Sequence, residues 1–163
     1  MRQTTVDALL TLFVLVVQTT LLRYMALGGL TPDLALLWIV YLAIRRGQIP
    51  ATVAGFCAGV ALDLLSGDDG MLGLGALAKT VGGFIAGYFY SENKVLQTLS
   101  SYRFILTLLL VATVHNLIYF TIFLQGSEVS WWGAVFFYGI PSALYTAALG
   151  LIPMFAFARR ALS

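Results

Sequence analysis

Charge is what this chain has least of. Only 10% of its 163 residues are charged and 60% are hydrophobic, whereas an ordinary soluble domain carries about a quarter charged residues. With a mean hydropathy of +0.93, that deficit cannot be hidden in a core, because a chain of this size keeps too much surface. Lipid must be the solvent. Cysteine is nearly absent: Cys57 stands alone in an apolar run, which excludes a disulfide framework and a cysteine-based metal site. Histidine is also single, so His115 has no second imidazole with which to build a zinc site. No glycine-rich phosphate loop or HExxH occurs, nor a GxSxG elbow, and only one carboxylate lies deep within the apolar runs, so no pair is there for acid–base work. The chain is therefore expected not to be an enzyme and to hold no catalytic residue, cofactor or metal. A net charge of +2, with basic residues that do not gather on one polar face, excludes nucleic acid as a partner.

What is present is one apolar run after another. A membrane-spanning helix needs about 17–25 mostly apolar residues, and the charged and turn-forming points divide the chain into six: 6–23, 32–44, 49–65, 72–90, 103–124 and 132–157. The connections are short, so residues 1–163 form one all-α transmembrane domain. The N-terminal residues lead into the first run without a small-x-small cleavage site, which predicts a retained helix rather than a removed signal peptide. The second run is the least regular. Thr31-Pro32-Asp33 supplies a hydroxyl cap, a first-turn proline and an acid at the positive helix end, but starting there leaves only about 20 Å of helix at 1.5 Å per residue. The preceding 25–30 stretch is expected to dip into the membrane, or else to extend the helix back towards Leu27. Pro141 and Pro153 predict a bend in the last helix.

Orientation follows from the basic residues. With the N-terminus inside, Arg2, Arg45, Arg46, Lys94, Arg103, Arg159 and Arg160 fall on the cytoplasmic side and Arg23 alone falls outside. The positive-inside rule therefore places both termini in the cytoplasm. The outer connections are acidic instead, at Asp33, Asp68, Asp69 and Glu128. Trp131, Trp132 and Tyr102 suit interfacial anchors.

Three ionisable side chains stand deep within the spans: Asp63, Lys79 and His115. In the third span Ala51, Gly55, Gly59 and Asp63 repeat every four residues, and in the fourth Gly75, Lys79, Gly83 and Gly87 do the same. Positions four apart form one ridge on a helix, and ridges of small residues let membrane helices approach closely. The two helices are consecutive and antiparallel, so Asp63 and Lys79 are expected to form an intramembrane ion pair across a glycine-lined contact that fixes the hairpin. Arg23 and Asp33 are expected to pair at the outer face. His115, followed by Asn116, reads as a hydrogen-bonded packing residue, and Gln18, Thr19 and Thr20 as interhelical hydrogen-bonding groups. Arg45, Arg46, Lys94 and Arg103 form the candidate surface for partners or lipid headgroups, or serve only to orient the chain.

The stretch from Thr31 to Leu77 carries a family resemblance. Thr31-Pro32-Asp33-Leu34 opens a helix, Tyr41-Leu42-Ala43 leads to Arg45-Arg46-Gly47, and Gly55-Phe56 and Gly59 follow. Asp63-Leu64-Leu65-Ser66-Gly67, Leu72-Gly73-Leu74 and Ala76-Leu77 complete the order. Together with length, helix count and both termini inside, this resembles the bacterial rod shape-determining MreD family, departing from it in the turn at Asp68-Asp69-Gly70 and at Gly75, where a polar residue is expected. The resemblance implies a non-enzymatic inner-membrane component of the cell-elongation machinery. It implies binding to the single-pass protein MreC and, through it, links to MreB filaments, RodA and a class B penicillin-binding protein. It also implies a fold like that of the substrate-binding subunits of energy-coupling-factor transporters. Two other readings stay open on the residues alone: a vitamin-binding transporter subunit, and a proton-coupled channel using Asp63, Lys79 and His115.

Overall fold

A computed structural model describes residues 2–27, 30–66, 72–125, 128 and 130–162, and all regular structure among them is helical. Helix α1 spans Arg2–Thr20 and runs into a 3₁₀ turn at Leu22–Met25. It is followed by α2 (Leu34–Arg46), α3 (Gln48–Ser66) and α4 (Leu74–Gly87). A short helix α5 (Val95–Leu99) precedes α6 (Tyr102–Phe123), and α7 (Trp131–Ala134) joins α8 (Ile140–Leu162) through a π turn at Val135–Gly139. The acidic turn with Asp68 and Asp69 lies outside the described residues, as do the side chains of Arg2 and Arg23.

Four stretches are long and apolar enough to cross a membrane: Gln3–Thr20, Gln48–Leu65, Tyr102–Phe123 and Trp131–Arg160. Helices α2 and α4, with 13 and 14 residues, are shorter. Their shortness has a local cause at each end. Helix α2 does not start at Pro32 as its sequence suggests. Asp33, not Thr31, is the N-cap, and its carboxylate accepts the Leu36 N–H at 2.8 Å. The chain before it closes on itself, with Leu27 and Leu30 exchanging both backbone hydrogen bonds at 3.0 Å. At the other end Gly47, at φ +90°, accepts a conformation that other residues rarely take, and its N–H closes on the Ala43 carbonyl. Helix α4 begins after Gly73 at φ +97° and ends at Gly87, three residues before the expected Tyr90.

Helix α2 is the centre of the bundle. Leu36, Ile39, Val40, Ala43 and Ile44 are fully buried and pack with Phe104, Leu108 and Val111 of α6 and Ala143 of α8. Helix α1 is peripheral: Leu9, Leu12 and Phe13 are each at least 60% exposed. Apolar surface on that scale suits a lipid surrounding and would be an aggregation liability in water. The long last helix loses its regular α pattern where the sequence puts Pro141. Proline cannot donate to the Phe137 carbonyl and its ring crowds that turn, and the backbone widens into the π turn just before it.

The seam between α3 and α4 is backbone against backbone. A Cβ on Gly55 would collide with the Lys79 carbonyl, on Gly59 with the Ala76 backbone, on Gly83 with the Ala51 carbonyl and on Gly87 with Gln48. The register holds over the whole of α4. Gly75 differs from the other stripe members, because the space beside it is filled by the Asp63 carboxylate rather than by backbone.

Candidate functional site

The first turns of α2 and α4 bring the buried polar groups together at the end of the bundle that carries Asp33 and Asp63, here the acidic end. Lys79 stands one turn into α4 and is buried. Its Nζ lies 2.6 Å from Asp33 Oδ2 and 3.3 Å from His115 Nε2. The expected Asp63–Lys79 pair is therefore corrected: Lys79 takes Asp33. The expected Arg23–Asp33 pair rests on the Arg23 side chain, which lies outside the described residues; among those described, the Asp33 carboxylate takes Lys79 and the Leu36 N–H.

The physical reason is the set of unpaired N–H groups at the start of α4. Helix α4 has no side-chain cap of its own. Asp63 reaches across from α3 and accepts the Gly73 N–H at 2.9 Å and the Ala76 N–H at 3.1 Å with one oxygen. A carboxylate is well matched to those donors and to the positive helix end. With Asp63 so engaged, the ammonium turns to the carboxylate at the head of α2.

From Lys79 the polar chain continues in a defined direction. The Asn116 amide donates to the Gly139 carbonyl at 2.7 Å, which turns Asn116 Oδ1 towards His115 Nδ1, 3.2 Å away. That arrangement assigns the proton to Nδ1 and leaves Nε2 to accept from Lys79. The Gly139 carbonyl belongs to the π turn, so the irregularity in the last helix supplies the terminal acceptor. The Asp33 segment is clamped from two sides. Gln18 of α1 accepts the Leu34 N–H at 2.7 Å and donates to the Pro32 carbonyl at 3.4 Å. Thr146 of α8 accepts the Asp33 N–H at 3.0 Å. A buried ion pair is costly to desolvate and needs such additional hydrogen bonds to hold.

Beside this chain lies a cavity of about 330 Å³ lined by Gln18, Thr19, Thr31, Asp63, Lys79, His115 and Tyr119, with Leu22, Leu62 and Leu65 as apolar wall. The ring of Tyr119 stacks on that of His115 at 6.3 Å. The arrangement offers charge, a hydrogen-bonding imidazole and a small polar space. Among the described residues no group of three or more His, Cys, Asp or Glu is placed to hold a metal.

The other singled-out residues fall at the opposite, basic end. Arg46 pairs with Asp7 at 3.0 Å and also donates to Gln3. Arg45 donates to the Tyr41 hydroxyl at 2.8 Å. Arg45 and Arg160 line one small cavity, and Lys94 and Arg103 another. Sequence reasoning passed over Asp7, which stands at the border of the first run, and gave Thr146 no role. Asp7 had a signal, as an acid in an apolar run facing a basic turn, whereas Thr146, on the distant last helix, had none. No protein-family model, no curated protein and no solved structure matches the chain.

Proposed function

We propose that this chain is a non-enzymatic, multi-pass component of the bacterial cell-elongation machinery, of the MreD kind. It binds MreC and through it is coupled to MreB filaments, RodA and a class B penicillin-binding protein. In this reading it crosses the inner membrane six times with both termini in the cytoplasm, the basic end inside and the acidic end outside. Helices α2 and α4 are too short to cross about 30 Å of hydrocarbon unaided. Their place among longer helices supports counting them as passes, because non-helical backbone at membrane depth is tolerated where protein covers it.

One observation carries the reading. Five residues of the resemblance have structural tasks in one unit, α2 to α4. Asp33 caps α2 and binds Lys79, and Gly47 turns the chain. Gly55 and Gly59 admit the backbone of α4, and Asp63 caps that helix. A pattern whose members hold one substructure together is a stronger signal than its scattered letters. A bundle with so little mass between its helices meets partners mainly through helix surfaces, by shape and small-residue contact.

The test is co-expression with MreC from the same bacterium, followed by affinity purification in mild detergent. MreC is expected to be retained; its absence from a preparation that still melts cooperatively would overturn the proposal. The 330 Å³ polar cavity favours a second reading, a vitamin-binding subunit with a fold like the energy-coupling-factor substrate-binding subunits. Denaturing the purified protein and finding a stoichiometric small organic ligand would favour that reading over the first.

A further inference from the structure

The four basic residues grouped above as one contact surface separate into two classes. Arg45 and Arg46 are bonded within the bundle, to Tyr41 and to Asp7. Among the described residues, the side chains of Lys94 and Arg103 have neither an acidic nor a hydrogen-bonding partner. Both line one cavity of about 510 Å³ between the end of α4, the α5 turn and the start of α6. That volume lies within the range of small-ligand sites, about 300–1,000 Å³.

The walls of this cavity change character along α6. The two cations and the hydroxyl-bearing Ser91 and Thr98 line it. Leu106 and Leu110 follow Arg103 by three and seven residues, on one face of the helix. They line the same cavity and are about half exposed, and they lead towards the middle of the most apolar stretch of the chain. Tyr88 and Tyr90 also line it, and amphipathic rings suit a headgroup layer. Glu92 lies on the same turn as Lys94 but does not line the cavity.

We infer that this cavity is a binding site for an anionic phospholipid. Lys94 and Arg103 hold the headgroup phosphate and an acyl chain lies along Leu106 and Leu110. Two cations without an internal acid select negative charge, and the apolar strip selects a lipid over free phosphate. The inference needs only lipid surroundings and holds whichever partner the protein serves.

Native mass spectrometry of the full chain, offered equal amounts of phosphatidylglycerol and phosphatidylcholine of matched acyl chains, tests it. A basic residue at an anionic surface contributes about 1 kcal/mol, and about 1.4 kcal/mol is tenfold. The wild type should therefore prefer phosphatidylglycerol by about 30-fold. Lys94→Gln and Arg103→Gln should each lower that preference about fivefold, and the double variant should lose it. Lys94→Arg and Arg45→Gln should retain it. Equal retention of the two lipids by the wild type would overturn the inference, as would an undiminished preference in the double variant. Displacement of the bound lipid by millimolar inorganic phosphate would overturn it too, assigning the site to the free anion. All variants change exposed or surface-bonded side chains, and their melting in detergent should match the wild type.

Discussion

The two ends of the bundle use charge in opposite ways. At the acidic end Asp33 and Asp63 close on partners inside the molecule, one on a lysine and a helix N–H, the other on two N–H groups of α4. At the basic end Arg46 and Arg45 are bonded internally, but among the described residues Lys94 and Arg103 have no such partner. The difference teaches that a charge in an apolar chain is not one kind of feature. Where helix ends are buried, carboxylates act as caps and counter-ions. Where the chain turns between α4 and α6, some cations stay available to whatever lies outside.

Lys79→Ala should have the largest effect on this contrast. It strands Asp33 among buried groups, and removing one partner of a buried pair costs about 3–5 kcal/mol. Thermal melting in detergent should show it, and a paired Asp33→Asn/Lys79→Met variant should recover much of the loss. A double-mutant cycle sharpens the point. Lys79 should couple to Asp33 by more than about 1 kcal/mol, and to Asp63 by less than about 0.5 kcal/mol. A large Asp63–Lys79 coupling would restore the pairing that the sequence suggested.

Next in size is Gly59→Val, which pushes a side chain into the Ala76 backbone. Overpacking of this kind costs about 1–3 kcal/mol, read as a lowered midpoint in the same melt. Asp63→Ala removes a cap from α4 and should cost about 0.5–2 kcal/mol; hydrogen exchange at Gly73 and Ala76 should quicken while the start of α2 stays protected. Smallest is the Lys94→Gln/Arg103→Gln double variant, expected to shift stability by no more than about 0.5 kcal/mol. A large loss there would erase the distinction between the two ends.

Much of the fold was legible from residues alone. Gly55 and Gly59 sit four apart on one helix and Gly83 and Gly87 on the next, a spacing that forms a ridge on each, so the close α3–α4 seam followed once the two helices were known to be consecutive. The site was legible in its members and not in its bonds. Lys79 was visible as a buried charge, yet two carboxylates were within its reach, and spacing along α3 and α4 says nothing about α2. The expected start of α2 at Pro32 failed for a similar reason. Thr31 and Asp33 are both good caps, and the clamp by Gln18 and Thr146, from helices far away in sequence, accompanies the choice of Asp33.

By itself, then, the sequence determined the solvent, because 163 residues with so little charge leave no alternative to lipid. It also determined the all-helical, apolar character of the chain and the opposite characters of the two ends, since these depend on local composition. The partner of Lys79, the transverse cap that Asp63 gives to α4, and the separation of Lys94 and Arg103 from Arg45 and Arg46 were decided only in three dimensions. Each depends on which donor and acceptor a third helix brings within about 3 Å, a distance that no spacing within one helix encodes.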